Sequence, residues 1–169
     1  MNPLLFVDGY NVIGAWKEIQ QDPIPIDEAR DRLIALLEDY AGYTAQDVIL
    51  VFDGHLGDRA LTSVERRHTL TVVFTKHGQT ADQYIERACG QTPAYREVRV
   101  ATSDHLEQTM ILGRGATRLS SRELWQELTA QRSQLRSKHV SNPAPATTTL
   151  QSVLSDEQRL ALERIRRQK

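Results

Sequence analysis

Four aspartates stand at or just past the ends of apolar runs, and their placement is the chemical signal of this chain. Leu4-Leu5-Phe6-Val7 leads into Asp8, and Val48-Ile49-Leu50-Val51-Phe52 leads into Asp53. Leu70-Thr71-Val72-Val73-Phe74 is followed, after a polar break, by Asp82, and Val98-Arg99-Val100-Ala101 reaches Asp104 through Thr102 and Ser103. If these runs are buried parallel strands, their carboxyl ends form one edge, where open α/β sheets bind ligands. Carboxylates gathered there repel one another, and a cation offsets that repulsion. The pattern predicts a divalent-metal hydrolase, with Mg²⁺ or Mn²⁺ as the ion suited to hard oxygen ligands. Such an ion lowers the pKa of its water and offsets charge on a phosphoryl group.

Each aspartate also has a plainer role. Asp8-Gly9 and Asp53-Gly54 are turn dipeptides. Asp82 falls in the first turn of a helix, where the dipole favours a carboxylate by roughly 0.3–1 kcal/mol. Asp104 can cap a helix, with Glu107 completing a capping box. These roles are compatible with a shared site, since a residue can cap a helix and still face a metal. Asp8, Asp82 and Asp104 bring three carboxylates from three strand ends, and Asp53 is an accessory fourth. Asn11 offers a neutral oxygen to metal or substrate. Lys76 can meet a phosphate, and Ser103 completes the substrate-binding set at the same edge.

Other chemistries lack their residues. The five histidines show no His-x-x-x-His pairing, and the single cysteine, Cys89, excludes an internal disulfide and a multi-cysteine zinc site. No Gly-x-x-x-x-Gly-Lys-Ser/Thr loop, Gly-x-Gly-x-x-Gly fingerprint or Gly-x-Ser-x-Gly elbow is present. An aspartyl-phosphate phosphatase would want Asp-x-Asp after the first strand, and Tyr10 stands where its second aspartate belongs.

The elements that must position these groups alternate. A helix is expected from Ile26 to about Tyr43, with Asp27 as its cap and Leu33, Leu36, Leu37 and Tyr40 at helical spacing. Residues 54–69 are polar and read as a loop or short helix. Thr80-Ala81-Asp82-Gln83 is a capping box opening a second helix, and Ser103-Asp104 opens a short one. Ala116 to Leu119 fits a short edge strand, and the capping box Ser120-Ser121-Arg122-Glu123 starts a helix to about Lys138. Strands alternating with helices imply an α/β fold with a largely parallel sheet. The chain is expected to divide into a domain over residues 1–136, a Pro/Ala/Thr-rich linker over 137–154 and a basic helix over 155–169.

Charge is uneven. The net is −1, yet residues 1–111 carry 10 Lys and Arg against 17 Asp and Glu, whereas residues 112–169 carry 11 against 5. An acidic body with a basic end suits a metal-binding cleft flanked by a polyanion-binding surface, although solvated charge can also be uneven without a role. No apolar run approaches the roughly 20 residues that span a bilayer, and no secretion signal opens the chain. No membrane association and a cytoplasmic location are expected.

The motifs themselves resemble a known family. Leu5-Phe6-Val7-Asp8-Gly9-Tyr10-Asn11-Val12-Ile13-Gly14-Ala15-Trp16 closely resembles the opening of YacP-like NYN-domain proteins. Glu28-Ala29-Arg30-Asp31-Arg32-Leu33, Val51-Phe52-Asp53-Gly54-His55, Thr80-Ala81-Asp82-Gln83-Tyr84-Ile85-Glu86, Ala101-Thr102-Ser103-Asp104-His105-Leu106-Glu107-Gln108 and Ser121-Arg122-Glu123-Leu124 follow in that family's order. The resemblance covers roughly residues 3–130. It implies a three-layer α/β/α PIN-like nuclease fold, an acidic metal site of Asp8, Asp82 and Asp104, and endonucleolytic cleavage of messenger RNA in association with ribosomes. Asn11 and Asp53 are its accessory contributors. The tail and residues 56–69 depart from the shared pattern. The alternatives are a non-catalytic RNA- or ribosome-binding module of the same fold, and a nuclease for structured DNA. The chain lacks the long helical arch and helix-hairpin-helix expected of the latter, which ranks it lower.

Overall fold

The first strand, β1 (Leu4–Asp8), is buried from Leu4 to Val7, as expected of a strand covered on both faces. In the computed structural model, which describes residues 1–54, 58–103 and 115–141, it lies inside a six-stranded sheet. The other strands are β2 (Asp47–Phe52), β3 (Ser63–Arg66), β4 (Leu70–Phe74), β5 (Val98–Ala101) and β6 (Thr117–Leu119). Their order is β3-β4-β2-β1-β5-β6, with every neighbouring pair parallel except β3 and β4. From β1 the chain builds outward through β2 and β4, then returns to place β5 on the other side of β1. The carboxyl ends of β1 and β5 therefore flank the point where the winding reverses, the crevice that binds ligands in open α/β sheets.

Alternation along β1 divides the core. Leu5 and Val7 pack with residues of α1 (Gly9–Gly14), α3 (Ile26–Thr44) and α5 (Ser121–Ser141), including Val12, Leu33, Leu37, Leu124 and Leu128. Leu4 and Phe6 pack on the opposite face with Ala81 and Ile85 of α4 (Ala81–Gln91). The result is the expected three-layer α/β/α arrangement. A short α2 (Lys17–Gln21) follows α1. Each fully buried Leu or Val contributes roughly 1.5–3 kcal/mol, so both faces hold the sheet's edge in place.

Several local expectations change. Asp27 does not cap α3: Pro25 holds that position without a side-chain bond, and Asp27 pairs with Arg30 in the first turn. Residues 54–69 hold β3, an antiparallel edge strand whose four residues are all exposed. The glycine after Asp8 opens a helix rather than a turn. The short helix expected at Ser103-Asp104 and the basic helix over 155–169 lie outside the described residues. The edge strand before Ser120 is present as β6, and α5 continues beyond Lys138 to Ser141. The chain divides into two units, Met1–Gln131 and Arg132–Lys169. Among the described residues no helix is long and apolar enough to cross a membrane.

Candidate active site

Asp8 ends β1 and caps α1, its Oδ1 accepting from the Asn11 backbone N–H at 3.2 Å. Gly9 is required by a close approach, because a Cβ there would overlap the ring of Phe52 at the end of β2. Burial pushes the Asp8 carboxyl up to about 6, against the lowering effect of the Asn11 N–H. The negative charges of Asp82 and Asp53 push it further, as does a hydrogen bond with Asp82. Asp82 and Asp53, from two other segments, thus act on Asp8 at the carboxyl edge.

Asp82 reaches that edge through the first turn of α4. Gln83 N–H donates to Thr80 Oγ1 and Thr80 N–H to Gln83 Oε1, both at 3.2 Å, closing the capping box the sequence contains. Asp53 follows Phe52 directly, and the next residue is clamped. Gly54 N–H donates to Thr75 Oγ1 at 2.8 Å, while that hydroxyl donates to the Gln79 carbonyl at 2.7 Å. A Cβ on Gly54 would collide with the Thr75 carbonyl. Thr75 is fully buried, so Gly54 has one seat.

Asn11 is committed differently from the expectation of a free oxygen. Its Oδ1 accepts from Ser103 N–H at 3.0 Å and from Ser121 Oγ at 2.6 Å. One side chain thereby ties the start of α1 to the segment after β5 and the start of α5, across the winding reversal. Ser103 enters the site as a backbone donor. Trp125 of α5 supports the same corner, donating from Nε1 to the Val12 carbonyl at 2.8 Å and packing on Trp16 at 4.3 Å between ring centroids.

Lys76 is exposed beside the α4 N-terminus and lines a cleft of about 510 Å³ with Gly78, Gln79, Gln83, Glu86 and Arg87. Asp8 is not among the residues of that cleft. Another cleft, about 570 Å³, lies on the Asn11 side and includes Lys17, Ser103, Arg118 and Arg122. Asp104 and His55 lie outside the described residues. Among the described residues, no three His, Cys, Asp or Glu side chains stand close enough to hold a metal by themselves. The donor set at Asp8 and Asp82 still fits a hard divalent ion, which commonly takes one or two protein carboxylates and keeps waters in its remaining positions. The raised Asp8 pKa comes first from burial and then from the nearby Asp82 and Asp53 charges, both of which a bound cation would offset.

Sequence reasoning missed Thr75, Ser121 and an aromatic row at the same edge. Tyr10 packs on Phe52 and Phe52 on Phe74, each at 5.2 Å between centroids. The Arg59 guanidinium lies 4.8 Å above Phe74, and Arg30 donates to the Tyr10 hydroxyl at 3.2 Å. The signal was present in part, since Phe52 and Phe74 end β2 and β4 and Tyr10 follows β1 by two residues.

An α/β domain with interacting carboxylates at the carboxyl edge of a mostly parallel sheet is nuclease-like in form. Residues 5–167 match the YacP-like NYN domain, and the chain belongs to that family. It is 43% identical over 127 residues to the uncharacterized protein YacP of Bacillus subtilis (strain 168), covering 74% of each chain. It is also similar to crystal structures of Rae1 (YacP) from Bacillus subtilis. One has a TM-score of 0.67 at 37% identity, covering 99% of this chain and 95% of that one. A mutant form has a TM-score of 0.68 at 34% identity, covering 96% and 99%. Family membership supports a nuclease-like, RNA-related role.

Proposed function

We propose that this protein is a metal-dependent endoribonuclease, acting in the cytoplasm on messenger RNA in a ribosome-associated setting. The observation that carries the proposal is the electrostatic coupling of Asp8 with Asp82 and Asp53 at the carboxyl edge. Asp8 and Asp82 would hold Mg²⁺ or Mn²⁺, with Asp104 as a third ligand and Asp53 adding negative charge nearby. A bound ion supplies an activated water and offsets charge on the phosphodiester. Asn11 holds the segments around the site in register through Ser103 and Ser121. Lys76 would meet the RNA backbone. The domain is assigned to residues 1–136, with 137–154 linking it to a basic segment, 155–169, that would dock on ribosomal RNA.

The test is cleavage of matched single-stranded RNA and DNA by the full chain, with and without ribosomes, in Mg²⁺, Mn²⁺ or EDTA. RNA cut internally only with the metal supports the proposal. Cleavage indifferent to chelator refutes the metal, and preference for DNA refutes the substrate. A second reading is an RNA- or ribosome-binding module of the same fold without catalysis, which the exposed cations Lys17, Arg118 and Arg122 of one cleft would serve equally well. Tight RNA binding without cleavage under every condition would establish it.

A further inference from the structure

The cleft beside Asn11 has a composition that the acidic site does not explain. Among the described residues its charged lining side chains are Lys17, Arg118 and Arg122, with no carboxylate beside them. The rest of its lining includes Asn11, Ser103 and Ser120. All three cations are exposed, and none forms an ion pair among the described residues. They come from separate places in the chain: α2, β6 and the first turn of α5. Ser120 caps α5, its Oγ accepting from Glu123 N–H at 3.2 Å. Glu123 in the same turn accepts the Ser120 N–H at 2.7 Å and offsets the charge of that helix end, so the field of the cleft comes from the three side chains.

This cleft shares a wall with the acidic site. Asn11 donates its backbone N–H to Asp8 and accepts the Ser103 N–H with its side chain. A polyanion approaching Asp8, Asp53 and Asp82 meets repulsion from an acidic body. The neighbouring cations offer the compensating field.

We propose that Lys17, Arg118 and Arg122 form a phosphate-binding track that seats single-stranded RNA backbone adjoining the segment presented to Asp8. The track rests on the nuclease reading only for its substrate, because the cationic cleft exists independently of catalysis. Its ligand chemistry is the phosphodiester, bound through charge and without base readout.

The test compares the full-length wild type with the triple variant Lys17→Gln, Arg118→Gln, Arg122→Gln in fluorescence-anisotropy titrations of labelled single-stranded RNA. Titrations run in chelator over a salt series, with RNA integrity checked on gels. A matched control removes three cations elsewhere, Arg32→Gln, Arg66→Gln and Arg67→Gln. Each phosphate contact on a single strand contributes about 0.7 to the slope of log K against log salt, so losing three lowers the slope by about 2. The triple variant is expected to bind about tenfold or more weakly, with the control changing by less than about threefold. Lysines at 118 and 122, introduced as Arg118→Lys and Arg122→Lys, should preserve most of the binding. Affinity and slope equal to wild type in the triple variant, or equal losses in variant and control, overturn the track. If the wild type binds through the track yet never cleaves, the track stands and the nuclease reading falls. If it cleaves while the triple variant binds normally, the reverse holds.

Discussion

Asn11 and Ser103 are 92 residues apart in sequence, yet the Asn11 side-chain oxygen accepts the Ser103 backbone N–H at 3.0 Å. The same oxygen takes the Ser121 hydroxyl at 2.6 Å. This residue therefore fixes the ends of β1 and β5 relative to each other, where the two halves of the winding meet. Replacing it leaves a buried serine hydroxyl and a backbone N–H without their acceptor. Asn11→Ala should cost about 1–3 kcal/mol in urea denaturation and lower RNA cleavage as well. Ser121→Ala removes one of the two donors and should cost less. Equal stability of Asn11→Ala and wild type would show that the oxygen is not a structural tie.

The charge on Asp8 has a sign that can be measured without metal. The folded protein holds the Asp8 proton up to about 6, whereas the ordinary value is 3.8. Between these values the folded state binds more protons than the unfolded one. Stability from this group is complete at low pH and is lost as pH rises through about 6. Asp8→Asn removes the charge and keeps a side-chain oxygen for the Asn11 N–H. In chelator at pH 7.5 it should be more stable than wild type by on the order of 1–3 kcal/mol, with the gain fading towards pH 4. A gain of the same size at both pH values would contradict the assignment.

Behind the site, Arg99 of β5 reaches Glu127 of α5 at 2.6 Å, and Tyr40 of α3 donates to the same carboxylate at 2.7 Å. Burial pushes the Glu127 carboxyl up, but the bonds from Arg99 and Tyr40 outweigh it and hold the group below its ordinary 4.5. The stabilisation is therefore present at neutral pH and is lost as pH falls through that depressed value. Since the pair is partly solvated, Glu127→Ala should cost about 1–2 kcal/mol at pH 7. The difference from wild type should narrow in acid. Matched pH-dependent urea curves of the two proteins check it.

Gly54 and Gly42 give opposite expectations for the same substitution. A methyl group on Gly54 would strike the Thr75 carbonyl, so Gly54→Ala should destabilise by about 1–3 kcal/mol and displace Asp53. Gly42 lies within α3 with open space around it, so Gly42→Ala should stabilise by up to about 1 kcal/mol. Thermal melts of both variants decide the matter. A Gly54→Ala protein as stable as wild type would contradict the clamp at Thr75.

The strands and the α4 and α5 helix starts were legible because their signals are local. Val48 to Phe52 is a continuous apolar run, and the boxes at Thr80 and Ser120 need only four adjacent residues. β3 was hidden because Ser63-Val64-Glu65-Arg66 is exposed throughout and carries no burial pattern. α1 was hidden because Asp8-Gly9 reads as a turn when the Phe52 ring that excludes a Cβ is out of view. The aspartates could be found as strand ends, and the structure brings Asp53 and Asp82 to bear on Asp8. The commitments of Asn11 and Thr75 could not, since their partners lie at distant positions in the chain with no periodicity to announce them.

The most direct measurement is single-turnover cleavage of one labelled RNA by wild type, Asp8→Asn and Asp82→Asn in a Mg²⁺ and Mn²⁺ titration, with folding of each variant confirmed by its melt. Both substitutions should lower the rate at least about a hundredfold, roughly 3 kcal/mol of barrier, and raise the metal concentration needed for any residual activity. Wild-type rates and metal dependence in either folded variant would contradict the proposal that these two carboxylates hold the catalytic ion.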